Sequence, residues 1–342
     1  MNSNAMNSND KTALVLGASG GIGGEVARQL RDAGWTVKGL KRGLSAAHEL
    51  QRLHEGIHWL RGDALNAADV AGAAQGCSVI VHAVNPPGYR DWDRLVLPML
   101  DNAIAAATAQ GATLVLPGTV YNFGPDAFPL LCEDSPQRPV TRKGAIRVEM
   151  EARLLAASTC GARVIVVRAG DFFGPQPGNN WFSQGLVKPG KAVTSISNPA
   201  APGVGHQWAY LPDVARTMVE LLAKRETLPA FASFHMAGHW DATGRQMAEA
   251  IQRVAARHGR APRITALPWW LLKLASPFVA TLKEMQEMRY LWQEPVRLDN
   301  ARLLATLGDE PHTPLDDAIE ASLRGLGCLP AASALCLTVA AG

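Results

Sequence analysis

Residues 13–30 read ALVLGASGGIGGEVARQL. The apolar run Ala13–Leu16 predicts a short buried strand, and Ile22, Val26 and Leu30, recurring every four residues, predict an amphipathic helix. Between them Gly17, Gly20 and Gly23 are spaced as GxxGxxG. A strand that turns directly into a helix leaves the first helical N–H groups unpaired and the positive end of the helix dipole exposed. A pyrophosphate docks on such an end only where no Cβ intervenes, which is the reason for glycine. Glycine spacing alone is weak, since the chain holds 32 glycines. With a strand before it and a helix after it, the stretch Gly17, Ala18, Ser19, Gly20, Gly21, Ile22 and Gly23 reads as a dinucleotide-binding turn.

Outward from that turn, the 342 residues are 47% apolar and 18% charged with a net charge of +3, the balance of a soluble globular protein with one large core or two lobes. The basic excess is spread along the chain, which argues against a nucleic-acid surface and suits small anionic ligands. Cys77, Cys132, Cys160, Cys328 and Cys336 are odd in number and lack metal-ligand spacing. They read as thiols in a reducing cytoplasm, with no metal site. No apolar run reaches the roughly 18 residues of a membrane span, so no membrane partner is expected. Residues 1–10, MNSNAMNSND, are polar and read as a leader or cloning scar. Residues 326–342 form a tail to which no function is assigned.

The segment 35–40 predicts a second strand, and the residue just past it decides the cofactor. A carboxylate there would bond the adenosine ribose hydroxyls and select NAD. The chain instead carries Lys41 and Arg42. Two cations suit a 2′-phosphate, each charge-assisted bond contributing about 1.5–3 kcal/mol. NADP is therefore the expected cofactor, with NAD as the alternative. Further strands are expected at 57–60, 78–84 and 112–118, and helices at Ala67–Ala74 and Arg94–Ala109. Asp63, followed by Ala64, faces the adenine or else acts as a turn residue or helix N-cap. His82 reads as a strand-end residue. Strands alternating with helices at this spacing imply right-handed crossovers and a parallel sheet covered on both faces. The ligand then lies at the C-terminal strand ends, where the glycine turn, Lys41, Asp63, Ala83 with Val84, and Thr119 all fall.

Five ordered motifs over most of residues 11–325 resemble the extended short-chain dehydrogenase/reductases of the NAD(P)-dependent epimerase/dehydratase group. GASGGIG resembles the nucleotide fingerprint, and GTVYNFGP (Gly118–Pro125) the strand ending in a catalytic Ser or Thr. VVRAGDFFGP (Val166–Pro175), HQWAYLPDVA (His206–Ala215) and LDNARLLATLGDEPHTPLDDAI (Leu298–Ile319) resemble three later segments. The resemblance implies a Rossmann-type α/β fold, a doubly wound parallel sheet with a smaller C-terminal substrate lobe. It assigns 11–175 to the NAD(P)-binding domain, with 206–235 returning to it, and 176–205 and 236–325 to the substrate lobe. It also implies a small-molecule substrate, Ala169 at the cofactor and a homodimer.

In that family a Ser or Thr and a Tyr flank the substrate oxygen, and a Lys four residues after the Tyr binds the nicotinamide ribose. Thr119 stands five residues before Gly124, where the family's hydroxyl residue sits. The Tyr-xxx-Lys element is absent: Tyr89, Tyr121, Tyr210 and Tyr290 are the only tyrosines, and none has Lys or Arg four residues on. The corresponding helix reads TRKGAIRVEMEARLL. One register puts Lys143 at the Tyr position and Arg147 at the Lys position; a shift of two gives Thr141 and Ala145. Arg147 can hold ribose hydroxyls but does not exchange protons. Lys143, desolvated beside it, is one candidate acid, and Tyr121 is the other. Alternatively Lys143 and Arg147 form a basic helix face without chemistry. Asn179, His206 and Trp208 are expected to line the substrate pocket by analogy of position. The Trp- and Met-rich stretch 266–292 reads as core or dimer contact. The expected activity is an NADP-dependent oxidoreductase acting on a carbonyl or secondary alcohol of a small metabolite or sugar nucleotide. The alternatives are a sugar-nucleotide epimerase or dehydratase and a non-catalytic NADP sensor.

Overall fold

The computed structural model describes residues 11–43, 56–86, 91–176, 178, 180–276 and 280–329. Asn179, Tyr89, Cys336, the first ten residues and the end of the tail lie outside them. The first half alternates β1 (Thr12–Leu16), α1 (Gly21–Asp32), β2 (Thr36–Lys41), β3 (Ile57–Arg61), α2 (Ala67–Ala74), β4 (Val79–His82), α3 (Trp92–Gln110) and β5 (Thr113–Thr119). The short β6 (Leu130–Leu131), α4 (Arg142–Thr159), β7 (Arg163–Ala169), β8 (Asp171–Phe173), β9 (Ser195–Asn198), β10 (His206–Tyr210), α5 (Leu211–Ala223) and β11 (Phe231–His235) follow. Last come β12 (His239–Asp241), α6 (Gln246–Ala256), β13 (Arg263–Ala266), α7 (Trp269–Ala275), α8 (Ala280–Glu287), β14 (Arg297–Leu298), α9 (Ala301–Leu307) and α10 (Leu315–Gly325).

Seven strands form one sheet in the order β11-β7-β5-β4-β1-β2-β3, with every neighbouring pair parallel. Strand order reverses at β1, between β2 and β4, which makes that edge the switch point where α/β sheets bind ligands. Every residue of β1 and β4 is buried, as a sheet covered on both faces requires. On one face α1 and α5 pack together, with Val26, Leu30, Val214 and Met218 fully buried against Val15 and Val37. On the other, α2, α3 and α4 bury Val70, Leu100, Met150 and Leu154 against Leu14, Ile80 and Leu114. Register sets the strand ends level: Lys41 lies opposite Arg61, Leu16 opposite His82, and Thr119 opposite Ala169.

The chain leaves this sheet after Ala169. β8 pairs with β10, which pairs antiparallel with β12, in a separate three-stranded sheet. Within 206–235, then, β10 belongs to that second sheet, while α5 covers the main sheet and β11 extends its edge. The smaller lobe has its own core around Phe173, Trp181, Trp208, Trp292, Ile251 and Ile319. The start of the tail belongs to it, with Leu326 and Cys328 each 4% exposed. Among the described residues no helix is long and apolar enough to cross a membrane.

Candidate functional site

The turn after β1 is built for a close approach. Gly17 has φ +88°, which side chains on L-residues rarely adopt, and a Cβ on Gly23 would stand 2.3 Å from the Gly17 carbonyl oxygen. The turn opens on a groove of about 460 Å³ lined by Gly17, Ser19, Gly20, Lys41, Arg42, Asp63, Ala64, Ala83, Val84 and Asn85, among others. Ala18, Gly21, Ile22 and Gly23 stand behind that wall; Ala18 is buried in the core. Lys41 lies 5.7 Å from the centre of the Trp59 ring, so its stem is steered along the groove edge. Asp63 Oδ1 accepts the Leu65 N–H at 3.0 Å, a turn role, and the N-cap of α2 is Asn66, whose side chain accepts from Ala68 and Asp69. A strand-to-helix turn without side chains, two cations at the end of β2 and an acceptor at the end of β3 fit a dinucleotide.

A smaller cavity of about 70 Å³ opens at the ends of β5 and β7. Thr119, Val120, Tyr121, Lys143, Ala169, Asp171, Phe172, Asn180, Trp181, Gln184, Met285 and Met288 line it. Thr119 caps a single 3-10 turn, Val120–Asn122, accepting the Tyr121 N–H at 3.3 Å, and this turn brings Tyr121 onto the cavity wall. Helix α4 runs against that turn so closely that a Cβ on Gly144 would meet the Tyr121 carbonyl at 2.2 Å. Thr141 is consumed as the helix cap, accepting the Gly144 N–H at 3.0 Å. The face of α4 turned inward therefore carries Lys143, 5% exposed, and one turn later Arg147, 7% exposed. Arg147 donates to Pro117 O and Asn85 Oδ1, each at 3.5 Å, and its guanidinium lies 5.3 Å from the Trp92 ring centre. It thus joins α4 to the groove wall at Asn85.

Beneath the cavity, α4 is tied to β7 by a buried pair. Arg168 donates to both Glu151 oxygens at 3.0 and 2.5 Å, and Asn122 and Gln137 donate to the same carboxylate. Arg168 also meets His235 Nε2 at 2.9 Å, while His235 Nδ1 donates to Leu131 O at 3.1 Å. That ring is therefore neutral, and burial together with the Arg168 charge holds its pKa down to about 3. His82, fully buried at the end of β4, is likewise pulled to about 3 by burial and then by Arg147.

His206 and Trp208 do not line the cavity. Trp208 is packed in the core of the smaller lobe and borders a separate depression with His239 and Trp240. His206 stands one layer behind the wall: its Nε2 is 2.8 Å from Asp171 Oδ2, and its ring stacks on Trp292. The reason lies in β10, whose residues are all buried between β8 and β12, so its side chains reach packing partners before they reach the cavity. Asp171, Asn180, Gln184, Met285 and Met288 complete the wall and were not singled out from sequence. Asp171 lies inside the VVRAGDFFGP motif, a signal that was available. The methionines come from α8 and the 3-10 turn after it, far along the chain, and carry no local signal. Among the described residues no group of His, Cys, Asp or Glu has the arrangement of a metal site.

The fold has close counterparts among solved structures. UDP-glucose 4-epimerase from Brucella ovis in complex with NAD superposes with a TM-score of 0.72 at 15% identity, covering 93% of this chain and 98% of that one. UDP-glucuronic acid 4-epimerase from Bacillus cereus, with UDP-glucuronic acid and NAD, gives 0.69 at 16% identity over 92% and 98%. At these identities the likeness is one of fold. A 2-alkyl-3-oxoalkanoate reductase of Shewanella oneidensis is 35% identical over 101 residues, which span 28% of this chain and only 25% of that protein. The sequence profile of the NAD dependent epimerase/dehydratase family matches residues 13–237, from β1 through β11 with both cavity-bearing strands inside, and the chain belongs to that family.

Proposed function

We propose that the protein is an NADP-dependent oxidoreductase acting on the carbonyl or secondary alcohol of a small metabolite, through an altered Tyr-xxx-Lys site. The observation that carries this is the shared wall: Thr119, Tyr121 and Lys143 line one cavity at the C-terminal strand ends, where a bound nicotinamide would supply hydride. Thr119 orients the substrate oxygen by hydrogen bonding. Lys143 or Tyr121 carries the proton that moves as the carbon changes oxidation state. Arg147, anchored at Pro117 and Asn85, holds the cofactor side of the site. Ser19, Gly20 and Gly17 receive the pyrophosphate, and Lys41 and Arg42 the 2′-phosphate.

The cavity wall favours an apolar ketone over a phosphorylated sugar. Val120, Phe172, Trp181, Met285 and Met288 supply most of it, and its only ionisable side chains among the described residues are Tyr121, Lys143 and Asp171. The name of the Shewanella oneidensis relative, a reductase of an alkylated oxo acid, points the same way. The sugar-nucleotide reading draws on the UDP-glucuronic acid bound by the Bacillus cereus neighbour and on the name of the Brucella ovis one, and the sensor reading on the missing Tyr-xxx-Lys element. The same proposal places the protein in the cytoplasm, with a homodimer as its assembly.

The test is NADPH oxidation by purified protein against a panel of aliphatic and aromatic ketones, with UDP-glucose and UDP-glucuronic acid beside them. Ketone turnover that Lys143→Ala or Tyr121→Phe lowers by about a hundredfold or more is the expected result. Tight NADPH binding without turnover of any compound would give the sensor reading instead.

A further inference from the structure

Asp171 is the one carboxylate on the cavity wall among the described residues, and it is held from two sides. Tyr121 Oη donates to its Oδ1 at 3.2 Å, and His206 Nε2 lies 2.8 Å from its Oδ2. The other ring nitrogen of His206, Nδ1, is 3.2 Å from the Leu291 carbonyl oxygen. A carbonyl only accepts, so Nδ1 carries a proton; an ionised carboxylate only accepts, so Nε2 carries one as well. With the Asp171 carboxylate ionised, this geometry makes the ring an imidazolium. Its packing suits a cation, because the Trp292 indole stacks on it at 3.6 Å between centroids and 12° between planes. His206 and Asp171 are 3% and 6% exposed, and buried charges of this kind persist when paired and hydrogen-bonded. Lys143 lies on the same wall. The other titratable groups around the pair are Tyr121, Tyr290 and Glu287. Burial first, then the charges of Asp171 and Glu287, push the Tyr290 hydroxyl well above the usual tyrosine range, so it stays protonated.

We propose that Asp171 is the terminus of the proton path of this site, reached through Tyr121, and that the His206 imidazolium fixes its position and charge. The proposal rests on the oxidoreductase reading above. In the oxidation direction the alcohol O–H proton passes to the Tyr121 oxygen as hydride leaves the carbon for the nicotinamide. The Tyr121 proton passes along its existing hydrogen bond to Asp171 Oδ1. Reduction runs the same transfers backwards: Asp171, on the cavity wall, takes a proton from solvent and passes it through Tyr121 to the new alkoxide. His206 exchanges no proton with substrate; it is a positioning residue.

Two measurements test this on the full-length, NADP⁺-loaded protein. The first is long-range ¹H–¹⁵N correlation of histidine side chains at neutral pH. One ring with both nitrogens protonated is expected, lost in His206→Gln and converted to a singly protonated ring in Asp171→Asn. Absence of that ring overturns the pair. The second uses 1-phenylethanol and acetophenone as probes. Asp171→Asn is expected to lower kcat at least about tenfold with KM within about twofold, and to add nothing in a Tyr121→Phe background. Wild-type kcat in Asp171→Asn overturns the proton path while leaving the pair standing. Wild-type protein that turns over neither probe nor any ketone of the panel overturns the oxidoreductase reading and the path with it, whereas the NMR result decides the pair independently.

Discussion

Lys41 is the last residue of β2 and Arg42 follows it, and both line the groove. Replacing both by alanine should raise the dissociation constant for NADPH by tenfold or more and leave that for NADH within about twofold, as titration calorimetry would show. Equal losses for both cofactors would mean that the two cations serve the pyrophosphate or nothing. Such residues were legible because a strand end and a charge are both local signals. Helix α4 was legible only in part. Sequence left Lys143/Arg147 and Thr141/Ala145 as alternatives, and it takes the cap at Thr141 and the tight approach of Gly144 to Tyr121 to see which pair faces inward. His206 and Trp208 were harder still. Position in a motif strand says nothing about which neighbour intercepts a side chain, and here Asp171 and Trp292 intercept one while the smaller lobe's core takes the other.

At the scale of elements, α4 is anchored to β7 by Arg168 and Glu151, and the cavity depends on that anchor. Glu151→Ala leaves the Arg168 guanidinium, 2% exposed, without its carboxylate. A loss of about 3–5 kcal/mol in unfolding free energy is expected from denaturant titration. A loss below about 1 kcal/mol would contradict the anchor. The helix cap is worth less: Thr141→Ala should cost about 1 kcal/mol. Sequence periodicity predicts α2 with its observed bounds, Ala67–Ala74, and β1 to β5 to within a few residues, whereas β7 is marked only by a motif resemblance and β11 is not placed. It did not distinguish a strand of the main sheet from one of the second sheet. β10 is buried on both sides like its counterparts in the main sheet, so its alternation and composition look the same; only the departure of the chain after Ala169 separates them.

Among the described residues three buried histidines are held neutral, and their charging opposes folding. His82 and His235 are held to about 3 and His239 to about 4, burial being the first cause in each. All three lie below the unfolded value, so the native state binds fewer protons. The stability they permit is complete above about pH 6.5 and is lost as pH falls from there towards about 4 for His239 and about 3 for His82 and His235. Each contributes a slope of about 1.4 kcal/mol per pH unit in that window. His82→Leu should therefore flatten the acid limb of the stability curve, and since neither His82 ring nitrogen has a hydrogen-bond partner, it should not destabilise the protein at pH 7. Steeper acid loss in that variant would contradict the assignment. The main sheet, which buries His82 and His235, brings groove and cavity to one edge, and that juxtaposition is the central claim. It is tested most directly by a crystal structure with NADP⁺ bound, measuring nicotinamide C4 against Thr119 Oγ1, Tyr121 Oη and Lys143 Nζ. The account predicts that C4 faces the cavity, with Thr119 and at least one of Tyr121 and Lys143 able to hydrogen-bond an oxygen placed about 3–3.5 Å from it. A nicotinamide turned away from the cavity, or Tyr121 and Lys143 both directed elsewhere, would contradict it.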